Sequence, residues 1–450
     1  MCGVIASVGR GAGRRVEVAL GNLLHRGLPE RRRVWRQEDL ALGHVRLPIV
    51  GIGEDKDQPR QVGRWVIGFV GEVFDERVKD YGCDTDLVAE TWVHEGPEGF
   101  SSFDGFWSVV ALDKTEKKIH LLTDYLAQKP LYVHLGDGFS SVCSEPLPIH
   151  EGKLDEIYFS AVAKWGYCPE ATRTPFQDMM KVPPGTYCVL SERGIERLNR
   201  IDYLEPASVG KENLPSSLRR AIAEAARVRA TSKEVPAALL LSGGLDSAIV
   251  YHLSKEYADV NTYHVENGEL DKARRMSPKI QETKRSPYEG HPLESIQYMQ
   301  EPVDLGSLLP QITLSRTIKA NGGERVCLTG DGADELFGGY RRAKDYDSQS
   351  SDIFHELVNW HLPRLDRVMM RNQIEVRSPF LARKVIELAL AVPYKERIDK
   401  KILRDIFRDI LPEGVADTPK KPLKSPEVIE DRLGRTLKLI ETFRLYVENY

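Results

Sequence analysis

The sequence contains little cysteine, and the spacing of its cysteines includes no CxxC motif. Six cysteines occur among 450 residues. This pattern excludes a disulfide-rich secreted scaffold and is typical of a reducing compartment, where most thiols act as small buried hydrophobic groups. We therefore expect a cytoplasmic protein, with thiols at Cys2, Cys83, Cys143, Cys168, Cys188 and Cys327.

Long apolar runs and a strong charge bias are also missing. No stretch approaches the roughly 18 apolar residues of a membrane span, and the N-terminus lacks the basic and apolar regions of a signal peptide. The formal net charge is −4, which argues against a large nucleic-acid footprint. We expect neither a membrane nor a nucleic acid as a partner, and we interpret the basic run at 30–36 as a solvated loop.

Two regions of different composition predict two domains, at 1–205 and 206–450. Up to about residue 200, short apolar runs such as WVIGFVGEVF and FWSVVALD alternate with Gly, Asp and Lys, which favours β-strands. Residues 205–217 are rich in Pro, Gly and Ser and predict a linker. Beyond them, helical periodicity alternates with apolar runs such as VPAALLL, which predicts an α/β domain with a mostly parallel sheet. The polar stretch 266–292 predicts no particular element.

The most specific motif is SGGLDS, at residues 242–247, directly after the apolar run. Its glycines allow the backbone to approach a ligand closely, and successive N–H groups at a helix N-terminus bind anions. The side chain of Asp246 is suited to hold Mg²⁺ against phosphate oxygens. The GxxxxGK[ST] pattern of a Walker loop is absent. A plain strand-to-helix turn with incidental glycines is the alternative, but it does not account for the whole string.

SGGLDS resembles the PP-loop of the ATP pyrophosphatases. LTGDGADELFGGY, IEVRSPFLARKVIELAL and KKILRDIFRDILP resemble further motifs of the asparagine synthetase family, in the same order. At the N-terminus, MCGVIA, LLHRG, GHVRLPIVG and VGEVFD resemble the class II glutamine amidotransferase domain that is fused to that synthetase. The resemblance therefore extends over most of the chain.

The resemblance implies that Cys2 is the nucleophile that attacks the side-chain amide of glutamine. Removal of Met1 would leave Cys2 with a free α-amine of pKa about 7.7–8.0, which suits a base acting on a thiol near 8.5. By position, Arg46 would bind the glutamine carboxylate through its planar guanidinium. Glu72 and Asp84 would hold the α-amine, and Gly71 would direct its N–H toward the oxyanion.

One departure from the family pattern concerns the oxyanion. The family usually has Asn-Gly-Glu where this chain has Val70, Gly71 and Glu72. Valine cannot donate the hydrogen bond that the asparagine amide is expected to supply. Because the loss of one such donor costs on the order of 10²–10³ in rate, either another donor substitutes or the glutaminase is slow.

The resemblance implies ATP and Mg²⁺ as cofactors of the second domain. Asp246 and Asp334 would share the Mg²⁺. Asp331 occupies the acid/base position, and Lys400 the position of a lysine that stabilises charge during adenylation and amide formation; its neighbour Lys401 leaves a shift of one residue open. The residues expected to bind ATP are Leu240, Ser242, Gly243, Gly244, Asp246, Ser247, Val265 and Gly330.

These observations predict an N-terminal αββα sandwich of the N-terminal nucleophile hydrolases, followed by a doubly wound α/β PP-loop domain. The function expected from the resemblance is glutamine-dependent synthesis of asparagine from aspartate, with ATP cleaved to AMP and pyrophosphate. An amide-forming ligase with another carboxylate acceptor remains an alternative, since the chain is shortened near 266–292. A non-catalytic relative is disfavoured because Cys2, Asp246, Asp334 and Lys400 are retained. The expected partners are small-molecule substrates, and a homodimer is left open.

Overall fold

The computed structural model describes residues 2–201, 203–231, 234–266, 269–283, 292–303, 306–340, 356–417 and 432–450. The polar stretch 266–292 lies partly outside these ranges. Its described residues contain a short helix, Leu270–Met276, and a short strand, Gln281–Thr283.

The amino-terminal part contains two six-stranded antiparallel sheets, which we call the first and second sheets. The first sheet has the order β10-β8-β9-β1-β3-β2, with β1 Gly3–Gly9, β2 Arg32–Gln37, β3 Leu40–Val45, β8 Tyr132–Gly136, β9 Phe139–Cys143 and β10 Met179–Lys181. The second has the order β12-β11-β7-β6-β5-β4, with β4 Arg60–Val62, β5 Trp65–Val73, β6 Gly105–Asp113, β7 Lys118–Thr123, β11 Thr186–Ser191 and β12 Gly194–Arg200.

Helices cover the outer faces of these two sheets. Helix α1 (Ala12–Gly21) packs on β1 and β3, and α3 (Asp84–Glu95) packs on β5. Two further helices are α2 (Val78–Tyr81) and α4 (Glu156–Trp165). Between the sheets lies an apolar layer that includes Val4, Leu42, Val66, Val110 and Leu121. The layer order is therefore α-β-β-α, as predicted.

A third sheet of five parallel strands forms the centre of the carboxy-terminal part. Its order is β15-β14-β13-β16-β17, with β13 Ala237–Leu240, β14 Val260–Val265, β15 Gln281–Thr283, β16 Val326–Leu328 and β17 Glu375–Arg377. The apolar run VPAALLL contributes the central strand, which is buried on both faces. The strand order changes direction between β13 and β16, and ligands of doubly wound sheets bind beside such a point, at the carboxyl ends of the strands.

The helices of this part flank the third sheet or return to the amino-terminal part. They are α5 Leu214–Ala230, α6 Leu245–Ser254, α7 Leu270–Met276, α8 Pro292–Met299, α9 Leu308–Asn321, α10 Ala333–Leu336, α11 Leu362–Met370 (preceded by a π-helical turn, Leu357–His361), α12 Arg383–Ala391, α13 Tyr394–Arg397, α14 Lys401–Phe407 and α15 Arg432–Glu448. Helix α15 packs on α4, with 5.9 Å between the ring centroids of Phe443 and Phe159. None of the described helices combines the length and apolarity needed to cross a bilayer.

Buried ion pairs join the two parts. Arg26 Nη2 donates to Asp366 Oδ2 at 2.7 Å, and Lys129 Nζ donates to Asp366 Oδ1 at 3.0 Å. Arg229 Nη1 donates to Asp104 Oδ2 at 3.0 Å. Breaking one partner of a buried pair leaves an uncompensated charge and costs ~3–5 kcal/mol, so these contacts stabilise one relative orientation of the two parts.

Candidate active sites

Cys2 lies just before β1, in a cavity between the two antiparallel sheets. The thiol is buried, with 7% of the residue exposed. Burial raises the pKa of the Cys2 thiol, although a hydrogen bond from the Leu47 N–H and the charge of Arg46 oppose the shift. Arg26 Nε donates to the Cys2 carbonyl oxygen at 3.1 Å and so fixes the backbone that carries the thiol. We call this space the Cys2 cavity; its lining consists of Cys2, Arg46, Leu47, Ile49, Val50, Gln58, Phe69, Gly71, Glu72, Asp84, Thr85 and Glu375.

Arg46, directly after β3, contributes a guanidinium to the wall of the Cys2 cavity. Its Nη2 donates to the carbonyl oxygens of Val50 and Gly51 at 2.9 and 2.7 Å, and its Nη1 donates to Gly53 O at 3.0 Å. Arg46 therefore anchors the loop that borders the cavity, and its charge faces the same space as the thiol.

The two predicted glutamine-binding carboxylates line the same cavity. They are Glu72 in β5 and Asp84 at the start of α3. Asp84 accepts hydrogen bonds from the N–H groups of Val73 and Thr85, but burial and the nearby Glu375 raise its pKa to about 6. Burial and Glu375 also raise the pKa of Glu72 well above its ordinary value, although Arg377 opposes that shift.

The conformation of Gly71 is incompatible with a side chain. Its φ is +128°, and a Cβ would lie 1.9 Å from the carbonyl oxygen of Phe106 on the paired strand β6. Val70 is buried in the apolar layer that includes Cys2. The carboxamide in the cavity wall belongs to Gln58, which accepts from Phe69 N–H at 2.6 Å and donates to Thr85 Oγ1 at 3.2 Å.

Glu375 and Arg377 were not singled out by the sequence analysis, although both reach the Cys2 cavity or its wall. Arg377 Nε donates to Glu375 Oε1 at 2.8 Å, and its Nη2 donates to Glu72 Oε2. They occupy alternate positions of β17, so they share one face of the strand. In the sequence IEVRSPFLA, two charged residues occupy alternate positions of an otherwise apolar strand. This pattern could have identified Glu375 and Arg377 as candidate site residues.

The second group of predicted residues surrounds the carboxyl ends of the third sheet. Leu240 ends β13, Val265 ends β14, and Gly330 follows β16, where a Cβ would lie 2.8 Å from the Cβ of Asp246. The SGGLDS loop closes on itself, with 3.0 Å between the hydroxyl oxygens of Ser242 and Ser247. Ser242 Oγ also accepts from the Gly244 N–H at 3.3 Å. The loop therefore surrounds the N-terminus of α6.

Lys400 joins two of these loops. Its Nζ donates to Asp246 Oδ2 and lies 2.6 Å from Asp334 Oδ1. We call these three residues the Lys400 cluster. Lys400 is buried, whereas its neighbour Lys401 is exposed, so the geometry favours Lys400 as the residue that faces the loops.

The backbone at Lys400 is strained. Asp399 and Lys400 have φ values of +57° and +59°, a region that non-glycine residues adopt at a cost. Their N–H groups donate to Gly338 O and Phe337 O at 3.0 and 2.9 Å. Gly339 leaves room for the cluster, since a Cβ there would lie 2.0 Å from Asp334 Oδ1. Such strain persists where the surroundings demand it, as at a functional site.

The Lys400 cluster contains the oxygen ligands that Mg²⁺ prefers. Asp246 Oδ1 is buried and has no hydrogen-bond partner among the described residues. Mg²⁺ is usually bound by one or two carboxylates together with substrate phosphates. Within the described ranges, no group of three or more His, Cys, Asp or Glu side chains could hold a metal. The two carboxylates of the Lys400 cluster fit Mg²⁺ bound in the way described for one or two carboxylates.

Asp331 follows Gly330 and lies beside α11. Arg364 Nη2 donates to Asp331 Oδ1 at 3.4 Å, and Ser378 Oγ donates to the Asp331 carbonyl oxygen. Ser378 directly follows β17, so the segment 375–378 contacts both the Cys2 cavity and the Asp331 loop.

Comparison with protein families agrees with the two-part architecture. Residues 1–201 match the model of a glutamine amidotransferase domain, and residues 217–359 and 348–441 match the asparagine synthase model. The chain belongs to the asparagine synthase family. The predicted family and the predicted fold classes are thereby confirmed.

Among its relatives in this family are several glutamine-hydrolysing asparagine synthetases. Asparagine synthetase B of Escherichia coli K12 is 24% identical over 90% of this chain and 77% of its own length. Asparagine synthetase 3 of Arabidopsis thaliana is 26% identical over 91% of this chain and 75% of its own length. Among solved structures, glutamine phosphoribosylpyrophosphate amidotransferase from B. subtilis gives a TM-score of 0.33, with 13% identity, over 65% of this chain and 83% of that chain.

Proposed function

We propose that this protein is a glutamine-dependent asparagine synthetase. It hydrolyses glutamine to ammonia at Cys2 and uses the ammonia to amidate aspartate, whose β-carboxylate is first activated by ATP as β-aspartyl-AMP. The observation that carries the proposal is the Lys400 cluster: one buried ammonium contacts Asp246 and Asp334, which follow two adjacent strands at the switch point of the parallel sheet. An anion-binding loop at such a switch point is suited to the phosphates of a nucleotide.

In the glutaminase reaction, the mature chain begins at Cys2. The α-amine takes the thiol proton, and the sulfur attacks the side-chain carbonyl of glutamine. The C–N bond then breaks, the departing ammonia takes the proton back from the α-ammonium group, and water hydrolyses the remaining thioester to release glutamate. The lining supports this orientation, since Arg46 suits the substrate carboxylate, and the carboxyl groups of the lining, among them Glu72 and Asp84, suit its ammonium group. The Gly71 N–H is the candidate donor to the oxyanion.

In the synthetase reaction, the carboxylate of the acceptor attacks the α-phosphorus of ATP, and pyrophosphate departs. The SGGLDS loop and Lys400 bind the phosphates, and the Lys400 ammonium stabilises the charge that develops. Asp246 and Asp334 would hold Mg²⁺, which offsets the charge of the pyrophosphate. Asp331, placed in the following loop, would act as the acid or base when ammonia attacks the acyl-adenylate.

Ammonia must pass from one site to the other without meeting bulk water, where it would be protonated and lose its nucleophilic lone pair. The buried ion pairs between the two parts support a shielded route. The six buried, unpaired cysteines support a cytoplasmic location for this enzyme.

Exchange of labelled pyrophosphate into ATP, measured with a panel of carboxylic acids, tests the proposal. We expect exchange with aspartate and formation of asparagine when glutamine or ammonium is added. Exchange with another acid in place of aspartate would favour an amide-forming ligase of different specificity. Release of ADP and phosphate in place of AMP and pyrophosphate would reject the adenylation chemistry.

A further inference from the structure

The Cys2 cavity is completed by a residue from the other part of the chain. Glu375 lies in β17 of the parallel sheet, yet it lines the same space as Cys2, Arg46 and Asp84. Strand β17 is the edge strand of that sheet and pairs through Glu375 with Val326 of β16. Arg377, two residues further along β17, donates to Glu72 of β5, so this strand lies against the amino-terminal part.

Three buried carboxyl groups lie at one end of the cavity. Glu72, Asp84 and Glu375 are each at least nine-tenths buried, and Arg377 pairs with Glu72 and Glu375. Arg46 is engaged with loop carbonyl oxygens and with Asp57. A cation that binds at this end of the cavity would be paired with these carboxylates, as a buried charge must be to be stable.

The two glutamates beside Arg377 differ in their pKa values. Burial raises the pKa of Glu72 well above its ordinary value, whereas Arg377, against the effect of burial, lowers the pKa of Glu375 to about 2. Glu375 therefore carries the negative charge of this pair, and its charge also acts on Asp84. A cation that enters the cavity would meet Glu375 and Asp84 as its ionised neighbours.

We propose that Glu375 is a glutamine-binding residue that receives the α-ammonium group together with Asp84, and that Arg377 is a positioning residue that holds Glu72 and Glu375 in place. The inference rests on the proposed hydrolysis of glutamine. With this role for Glu375, the amidotransferase part does not contain its whole substrate site, because one residue that binds the substrate belongs to the synthetase part.

A purely structural role for Glu375, as the partner of Arg377, predicts a different result. Loss of a structural contact would impair every substrate of the cavity to the same degree. Loss of an ammonium ligand would impair only substrates that carry an ammonium group. Glutaramate is glutamine without its α-amine, so a comparison of these two amides separates the two roles.

The experiment measures hydrolysis of glutamine and of glutaramate by the wild-type protein, by Glu375→Gln and by the control Glu256→Gln. Glu256 is exposed and does not belong to the cavity lining. In Glu375→Gln we expect kcat/KM for glutamine to fall about 10- to 100-fold, the worth of one hydrogen bond to a charged group. The value for glutaramate should stay within about twofold, and the control should match the wild type on both substrates.

An equal fall for both amides, or no fall for glutamine, would overturn the inference. A wild-type protein that hydrolyses neither amide would reject the proposed function itself. If Glu375→Gln does not fold, as judged by its thermal transition, the double variant Glu375→Gln/Arg377→Met removes both charges and leaves no unpaired guanidinium. It should lose the preference for glutamine over glutaramate, and retention of the wild-type preference would reject the assignment of Glu375.

Discussion

The Cys2 cavity and the Lys400 cluster both collect buried charges, but they are assembled from different material. The Lys400 cluster is formed by loops that follow strands of one sheet, and strained backbone at Asp399 and Lys400 brings the ammonium to two carboxylates. The Cys2 cavity is formed by strands and by a helix end, and β17 of the other part closes it. Residues that lie in short motifs can be predicted from the sequence, whereas a residue that a distant strand brings to the site cannot.

The strongest test of this contrast is Cys2→Ala. We expect glutamine-driven asparagine formation to disappear while ammonium-driven formation continues, because the two sites share only ammonia. Assays with each nitrogen donor in parallel measure the split, and intact mass should show a mature chain that starts at Cys2. Loss of both activities in a folded variant, or an active enzyme that retains Met1, would contradict the division between the sites.

Lys400→Ala should act on the other site alone. We expect kcat for ammonium-driven synthesis to fall on the order of 10²–10³-fold, with a much smaller change in KM for ATP, since the ammonium stabilises charge that develops during the reaction. Lys401→Ala is the matched control, because Lys401 is exposed. Glutaminase activity should be unchanged in both variants. A variant of Lys400 with normal kcat and raised KM would show that this residue only binds ATP.

Val70→Asn tests whether the Cys2 cavity lacks a hydrogen-bond donor to the oxyanion. Val70 is buried in the apolar layer that includes Cys2, and its side chain offers no hydrogen-bond donor, so the added amide should raise kcat for glutamine hydrolysis by up to ~10²-fold. Val70→Leu, which adds volume without a donor, serves as the control. No gain in a folded Val70→Asn protein would mean that another group, such as the Gln58 carboxamide, already fills this role.

The smallest expected effect is on the pH dependence of the free energy of unfolding. Burial raises the pKa of Asp84 from its ordinary value of 3.8 to about 6. Between these values the unfolded chain has released the proton that the folded chain still holds. The contribution of Asp84 to the free energy of unfolding is therefore complete below about pH 4 and is lost as the pH rises to about 6. The difference amounts to about 3 kcal/mol for one group.

Urea unfolding at pH 4, 5, 6 and 7 measures this slope. Asp84→Asn should flatten it, since the amide does not titrate. Asp124, which is also buried with a pKa raised to about 6, contributes a similar decline that remains in the variant. An unchanged slope in Asp84→Asn would show that Asp84 is ionised in the folded protein at acidic pH.

Much of the architecture could be predicted from the sequence because its signals are local. The run VPAALLL becomes the central strand β13, and SGGLDS forms the loop that follows it. WVIGFVGEVF and FWSVVALD become the paired strands β5 and β6. Each of these assignments depends on residues that are neighbours in the chain.

The rest depends on contacts between remote residues, which composition and periodicity do not encode. Arg377 contacts Glu72, and Asp366 contacts Arg26, across the junction of the two parts, although the partners are 305 and 340 positions apart in the chain. Glu375 and Arg377 belong to a family motif but were not singled out, since only the position of β17 brings them to the cavity or its wall. The same holds for Arg364, whose contact with Asp331 depends on the placement of α11.

The position of the last helix has a consequence for how the protein is made. Helix α15 supplies Phe443 to a cluster with Phe159 and Phe176 of the amino-terminal part, and Arg444 pairs with Glu156 at 2.7 Å. On a ribosome that adds about 5–20 residues per second, the second half of the chain takes on the order of ten to forty seconds to appear. During that time the last helix is not available to cover the aromatic surface of the amino-terminal part, and transiently exposed apolar surface of this kind favours aggregation.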